Sequence, residues 1–385
     1  MEEAALERAQ RLVATYDEQL AADLPAGAEI VDVHVHLGTD IDGMAGSYEE
    51  LEALQGGYGI ARACMFCLDE PDREPSFRAA NDRTLAFAGR SGRRLVPFVR
   101  LDLMGPGPIE EAERCLDRGA RGIKLHPRAQ RFELNDKRLA PVFALAAERR
   151  VPILIHGGRG LPPIADHLTT LVERYPDAQL IVAHAGIADL AGLAGRLGGR
   201  SGVFFDTSVW SPLDLLELFH LVGPEQVLYA SDYPYGQQPA SLLLALRTAR
   251  LAGLDDRQLR DMLAGNANRL LAGEPPLEPT VPVGGDTFSQ PLAFARIHQY
   301  LSMVTPLLWT RQADTIGVLG LALNACDVRD GHPAEADGIR ELLVSAEELW
   351  RGLPDRPDNG ERMVAARATF RLVHLADILA ATTSA

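Results

Sequence analysis

From Glu29 onward, short apolar runs alternate with longer segments of helical period, and this alternation limits the possible folds more than any single residue does. The runs are residues 30–35, 61–68, 95–101, 122–126, 151–156, 180–184, 203–206 and 227–231. Each is too short for a stable helix and suits a strand buried on both faces. The intervening segments open on cap-like residues: Ser47, Asn135, and Ser211 followed by Pro212,. Strand and helix repeated eight times is the pattern of a closed parallel barrel, although an open doubly wound sheet also alternates.

The flanks differ. Residues 1–28 read as an acidic helix without the charged-then-apolar pattern of a signal segment,. Residues 29–271 form the barrel, and residues 272–287, rich in Pro and Gly, form a linker,. Beyond it strand signals stop. Helices are expected over residues 291–309, 311–326 and 362–380. Another follows from Ile339, Leu342, Leu343, Ala346, Leu349 and Trp350, which recur at three- and four-residue spacing,. Residues 288–385 thus suit a small helical bundle, serving as a homodimer interface or a cover for the barrel mouth. Within it His298, His332 and His374 are isolated and read as surface or packing residues.

A net charge of −15 argues against nucleic acid as a partner, because phosphate binding needs basic patches,. No apolar stretch approaches the roughly 20 residues of a membrane span, and a cytoplasmic location is expected. Of the four cysteines, Cys64 and Cys67 fall in one strand, where residues three apart point to opposite faces and cannot share a metal,.

Five of the ten histidines, His34, His36, His126, His156 and His184, end predicted strands 1, 4, 5 and 6. His34 and His36 share a face by the two-residue strand period, with Val33 and Val35 packing outside against helices. In a parallel barrel all strand carboxyl ends open on one rim, so His156, His184 and Asp232 converge on the pair. This decides for an α/β fold, a (β/α)8 TIM-like barrel followed by a C-terminal all-α module. Asp232 ends a hydrophobic strand, where a carboxylate is costly unless paired with a cation. Asp32 lies one step deeper than His34 and is read as orienting a histidine from behind. Lys124 and His126 share a face of strand 4.

The segments DVHVH, GIKLHP, VPILIHGG, LIVAHAG, YASDYP and GNANRLL occur in the order and spacing of the amidohydrolase superfamily. The chain most resembles its branch containing aminocarboxymuconate semialdehyde decarboxylase and related hydrolases and lactonases, over residues 29–271. That resemblance implies one divalent metal, zinc first with manganese or iron as alternatives, held by His34, His36, His156 and Asp232. His184 and Asp232 would be catalytic. In two-metal members a carboxylated lysine after strand 4 bridges the metals, which makes a second metal on Lys124 the alternative.

Lys124, His126, Arg100, Arg159 and Trp210 are the candidate substrate-binding residues, joined by Arg128 and Tyr235. The arginine forks favour a carboxylated small molecule. The implied chemistry is hydrolysis of an amide, ester or lactone by a metal-activated water. Metal-dependent non-oxidative decarboxylation is the alternative, and a non-catalytic metal-binding or regulatory module the reading of another class.

Overall fold

The computed structural model describes residues 2–41, 43–284, 288–309, 315–328, 331–355 and 359–384. Eight strands match the eight apolar runs: β1 Ile30–Thr39, β2 Ile60–Cys67, β3 Leu95–Pro97 continued by Val99–Arg100, β4 Ile123–Leu125, β5 Ile153–Ile155, β6 Leu180–Val182, β7 Val203–Asp206 and β8 Val227–Leu228. Consecutive strands pair in parallel. The two pieces of β3 are joined through Phe98, whose N–H donates to the Met65 carbonyl at 2.8 Å. The ring closes where Val33 N donates to Tyr229 O at 3.0 Å and His36 N to Tyr233 O at 2.7 Å. The expected barrel is therefore closed rather than open.

Between strands run the expected helices. Ser47 caps Tyr48–Gly57 by accepting from Glu50 N, and Ser211 caps Pro212–Leu221 with Pro212 in the first turn. Asn135 is not a cap: the next helix is Leu139–Arg149, entered through a turn in which Asp136 accepts from Arg138 N. The helix itself starts at Leu139, where the apolar period begins, as expected.

β1 departs from simple alternation. Asp32 pairs with Ala63 and Val35 with Met65, so three steps on β1 match two on β2 and one residue is extra. Such a bulge exchanges the faces of the residues on either side of it. Val31 and Val33 pack inside the barrel with Cys64, Phe66, Leu154 and Phe204. Val35 and Leu37 pack outside with Tyr48, Leu51 and Met65. Val33 therefore faces inward, not against helices as strict alternation predicts. Cys64 and Cys67 fall in separate clusters as expected.

The C-terminal helices are Leu292–Trp309, Thr315–Ala325, Pro333–Arg351 and Asn359–Thr382, with residues 311–314 of the expected second helix and 285–287 of the expected linker outside the described residues. The Glu2–Asp23 helix packs on the last two, and their apolar faces join the outer barrel layer in one core. The final helix lies over barrel loops: His374 Nε2 donates to Trp210 O at 3.0 Å, Arg371 Nε to Gln237 Oε1 at 2.7 Å, and Arg367 pairs with Glu50 at 3.0 Å. Among the described residues no helix is long and apolar enough to cross a membrane.

His298 and His374 are not surface residues. His374 is buried and stacks on Trp210, ring centroids 3.9 Å apart. His298 is buried, and its Nδ1 lies 2.7 Å from Asp377 Oδ1, tying the first bundle helix to the last. Burial alone would lower the His298 pKa, but the Asp377 carboxylate outweighs it and raises the value above 6.5. A group that binds its proton more tightly when folded stabilises fully below its unfolded pKa and loses that contribution as pH rises through the folded one. His298→Gln is thus expected to lower the urea midpoint most below pH 6.5, with the gap to wild type closing at higher pH. A gap independent of pH would contradict the charged pair.

Candidate metal centre

At the carboxyl end of the barrel, past the bulge, the rings of His34 and His36 both lie against Phe66. His34 Nε2 is 3.2 Å from His36 Nε2, and each is 3.3 Å from Asp232 Oδ1. Lys124 Nζ approaches His34 Nε2 at 3.3 Å. Asp232 reaches the pair because its own N–H donates to His34 O at 2.9 Å, fixing the end of β8 against β1. Asp232 and His184 both have φ +57°. Non-glycine residues seldom adopt this left-handed region, and such strain concentrates at functional sites.

Hydrogen bonding assigns the imidazole protons. His34 Nδ1 faces Asp206 Oδ2 at 2.8 Å and is therefore the donor, which leaves Nε2 with its lone pair,. His184 Nδ1 donates to Ser208 O at 2.9 Å, so its Nε2 accepts from His156 Nδ1 at 3.0 Å. By the same logic His156 Nε2 is left as an acceptor. His156 stands apart from the tight trio and stacks on His126 at 3.9 Å. His126 Nδ1 in turn accepts from Ala129 N and caps a short helix.

Burial, then the charge of Lys124, pushes the His34 pKa well down; burial, then His34, does the same to His36. Neutral imidazole is the form that binds metal. Burial pushes Asp232 well up, with Lys124 opposing, and lowers Lys124 to about 7 against the pull of Asp232 and Asp206. A bound cation would reverse the pressure on Asp232. With His36 Nε2 unprotonated like that of His34, three acceptor atoms face one another at distances suited to a cation between them. Nitrogen and oxygen ligands of a tetrahedral zinc, about 2.0–2.1 Å from the ion, lie about 3.4 Å from one another. The donor set fits.

Asp206 was not singled out from the sequence, although it ends the apolar run at residues 203–206, the signal that marked Asp232. Its Oδ1 accepts from His184 N at 2.7 Å and Ser208 N at 3.1 Å while Oδ2 holds His34. A carboxylate so engaged holds the His34 ring and the backbone at His184 in place. The role expected of Asp32 is corrected accordingly. Past the bulge the parity with His34 fails, and Asp32 instead accepts from the backbone N–H groups of His34 and Ser231 and from Gln238 Nε2. It secures the β1–β8 junction and touches no imidazole through a hydrogen bond.

A cavity of about 510 Å³ opens over the trio and is lined by Lys124, His126, Arg100, Arg128 and Arg159. Arg100 is buried, with Nη1 donating to Cys67 O at 3.2 Å and Nε without a partner among the described residues. Arg159 is largely exposed and paired with Asp214 at 2.6 Å, so it stands at the rim. His156, Arg159 and His184 also line an adjoining cavity of about 540 Å³, walled by Trp210 and by Ser302, Thr305 and Asp377 of the bundle. Tyr235 stands edge-on to His36 at 5.9 Å. The bundle thus covers part of the barrel mouth.

Residues 31–272, more than half of the chain, match the amidohydrolase family model. The chain belongs to the amidohydrolase family. Among solved structures it is similar in fold to IDCase from Metarhizium anisopliae, with TM-score 0.51 and 16% identity, covering 65% of this chain and 98% of that one. It is also similar to 2,6-dihydroxybenzoate decarboxylase, with TM-score 0.50 and 16% identity, covering 64% and 99%. A curated protein, pyridoxine 5'-phosphate synthase of Xanthomonas axonopodis pv. citri, is 28% identical over 200 residues, 44% of this chain and 76% of that protein. The amidohydrolase match spans the whole barrel, the other less than half of the chain. The chain is accordingly a metal-dependent enzyme of the amidohydrolase family with a His and Asp cluster able to hold the ion.

Asp206→Ala frees the His34 ring and its tautomer. It is expected to weaken retention of a bound divalent metal about 10- to 100-fold in competition with a chelator, the usual cost of losing such a partner. Unchanged retention would contradict the orienting role.

Proposed function

We propose that the chain hydrolyses an amide, ester or lactone bond of a small carboxylated substrate. The observation that carries this is the convergence of His34 Nε2, His36 Nε2 and Asp232 Oδ1 within 3.3 Å beneath a cavity lined by cations. His34, His36 and Asp232, joined by His156 through its Nε2, would hold one divalent ion, zinc by donor set, with manganese or iron as alternatives. When bound, the ion supplies Lewis acidity and makes water nucleophilic near neutral pH.

The remaining work falls to the chain. Arg100 and Arg128 hold the substrate carboxylate, and Arg159 closes on it from the rim. Asp232 accepts the proton that the attacking water gives up. His184, with Nδ1 fixed as a donor by Ser208 O, moves a proton at Nε2,. Lys124 and His126 face the substrate, and Trp210 provides an aromatic wall.

Non-oxidative decarboxylation is the second reading, and the cationic lining favours it too. There Lys124 and the arginines would orient the carboxylate, the carbon–carbon bond to it would break with loss of carbon dioxide, and a solvent proton relayed by Asp232 would replace it on the carbon left behind.

A panel of lactones, amides and carboxylated aromatics, assayed with the zinc-loaded enzyme, separates the two. Hydrolysis predicts acid release without carbon dioxide. His184→Asn is expected to cut kcat by about 10²–10⁴ while metal content stays unchanged. Carbon dioxide released in proportion to product would favour the second reading, and no turnover with any metal would contradict both.

A further inference from the structure

We infer that the chain carries a second small-molecule site, between the barrel loops and the final helix, for a single-ring aromatic or short-chain carboxylate. The cavity there measures about 120 Å³ and is walled by Trp210, Tyr235, Leu308, Trp350, Phe370 and Arg371. A cavity of roughly 150 Å³ admits a benzene ring, so this somewhat smaller space takes at most one ring or a short alkyl chain,.

Two of its lining side chains, Trp210 and Arg371, carry donors that have no acceptor among the described residues. Trp210 Nε1 is buried and has no hydrogen-bond partner among the described residues. The indole is clamped by the stacked His374 ring, 3.9 Å away at 11°, and by Phe370 edge-on at 6.2 Å, so it has no freedom to seek one. An unmade hydrogen bond of this kind costs about 1–3 kcal/mol. Arg371 uses Nε on Gln237 Oε1. No carboxylate among the described residues lies within ion-pair distance of its guanidinium. The acidic groups that act on it, Glu50 and Asp17, are occupied by Arg367 and by the Tyr58 hydroxyl. Apolar walls, an unused indole N–H and a guanidinium with no carboxylate at ion-pair distance among the described residues are complemented by a ligand that brings a flat apolar body and acceptor oxygens,.

Although Trp210 also walls the cavity beside His156 and His184, the cavity of this second site is distinct from the one over the metal centre. Tyr235 lies in the wall between them, edge-on to His36, with its hydroxyl donating to Asp40 Oδ2 at 3.2 Å. The inference therefore does not rest on the proposed reaction.

Benzoate, titrated by calorimetry into the full-length protein with and without prior chelation, is the probe. Saturable binding of one benzoate per chain is expected, insensitive to the chelator and weakened at least about tenfold in Arg371→Gln. It should be abolished in Ala366→Phe, since Ala366 also lines the cavity and a ring there fills it without removing a hydrogen bond. Benzyl alcohol, lacking the carboxylate, is expected to bind at least about tenfold more weakly. Should Arg371→Gln fail to fold, Ala366→Phe decides alone. Absence of saturable binding at millimolar benzoate would overturn the inference. So would binding that disappears on chelation yet survives in Ala366→Phe, since benzoate would then be reporting the metal centre.

Discussion

The pairing of β1 with the end of β8 is the contact on which the candidate site depends. Asp232 and the two histidines of β1 come from opposite ends of the barrel sequence and meet only because the ring closes there. Asp232 N donates to His34 O and His36 N to Tyr233 O, so the backbone bonds that complete the barrel also set the spacing of the three donor atoms. Buried Asp32 ties the same seam from behind through the N–H groups of His34 and Ser231. Any change that loosens the seam separates the three donor atoms as well as the strands, which links stability and the candidate site here.

The bulge in β1 is the second determinant. Without the extra residue, the face that carries Val31 and Val33 inward would turn both histidines outward against helices. With it, β1 fills the barrel floor with apolar side chains and still presents two imidazoles at the rim. The sheet pays for this with one irregular step in its hydrogen bonding.

The eight strands and four C-terminal helices were legible in the sequence because burial imposes periods on composition, and those periods survive without knowledge of partners. The clustering of histidines at strand ends was legible for the same reason. The bulge was not, since one extra residue leaves the composition of Asp32–Val33–His34 unchanged and appears only in the pairing with β2. That hidden step misassigned Val33 and Asp32 together. Asp206 was overlooked although its apolar run ends on a carboxylate as plainly as that of Asp232; which carboxylate binds and which orients depends on hydrogen bonds across strands. His298 and His374 looked solitary because their partners, Asp377 and Trp210, sit on other elements.

Elemental analysis of the purified protein tests the central claim most directly, because it needs no knowledge of the substrate. The account predicts about one divalent metal per chain in wild type, lost in both His36→Ala and Asp232→Ala while the circular dichroism of the fold persists. Wild type that takes up no metal even after reconstitution, or variants that retain it fully, would contradict the assignment of the His34, His36 and Asp232 trio as a metal centre.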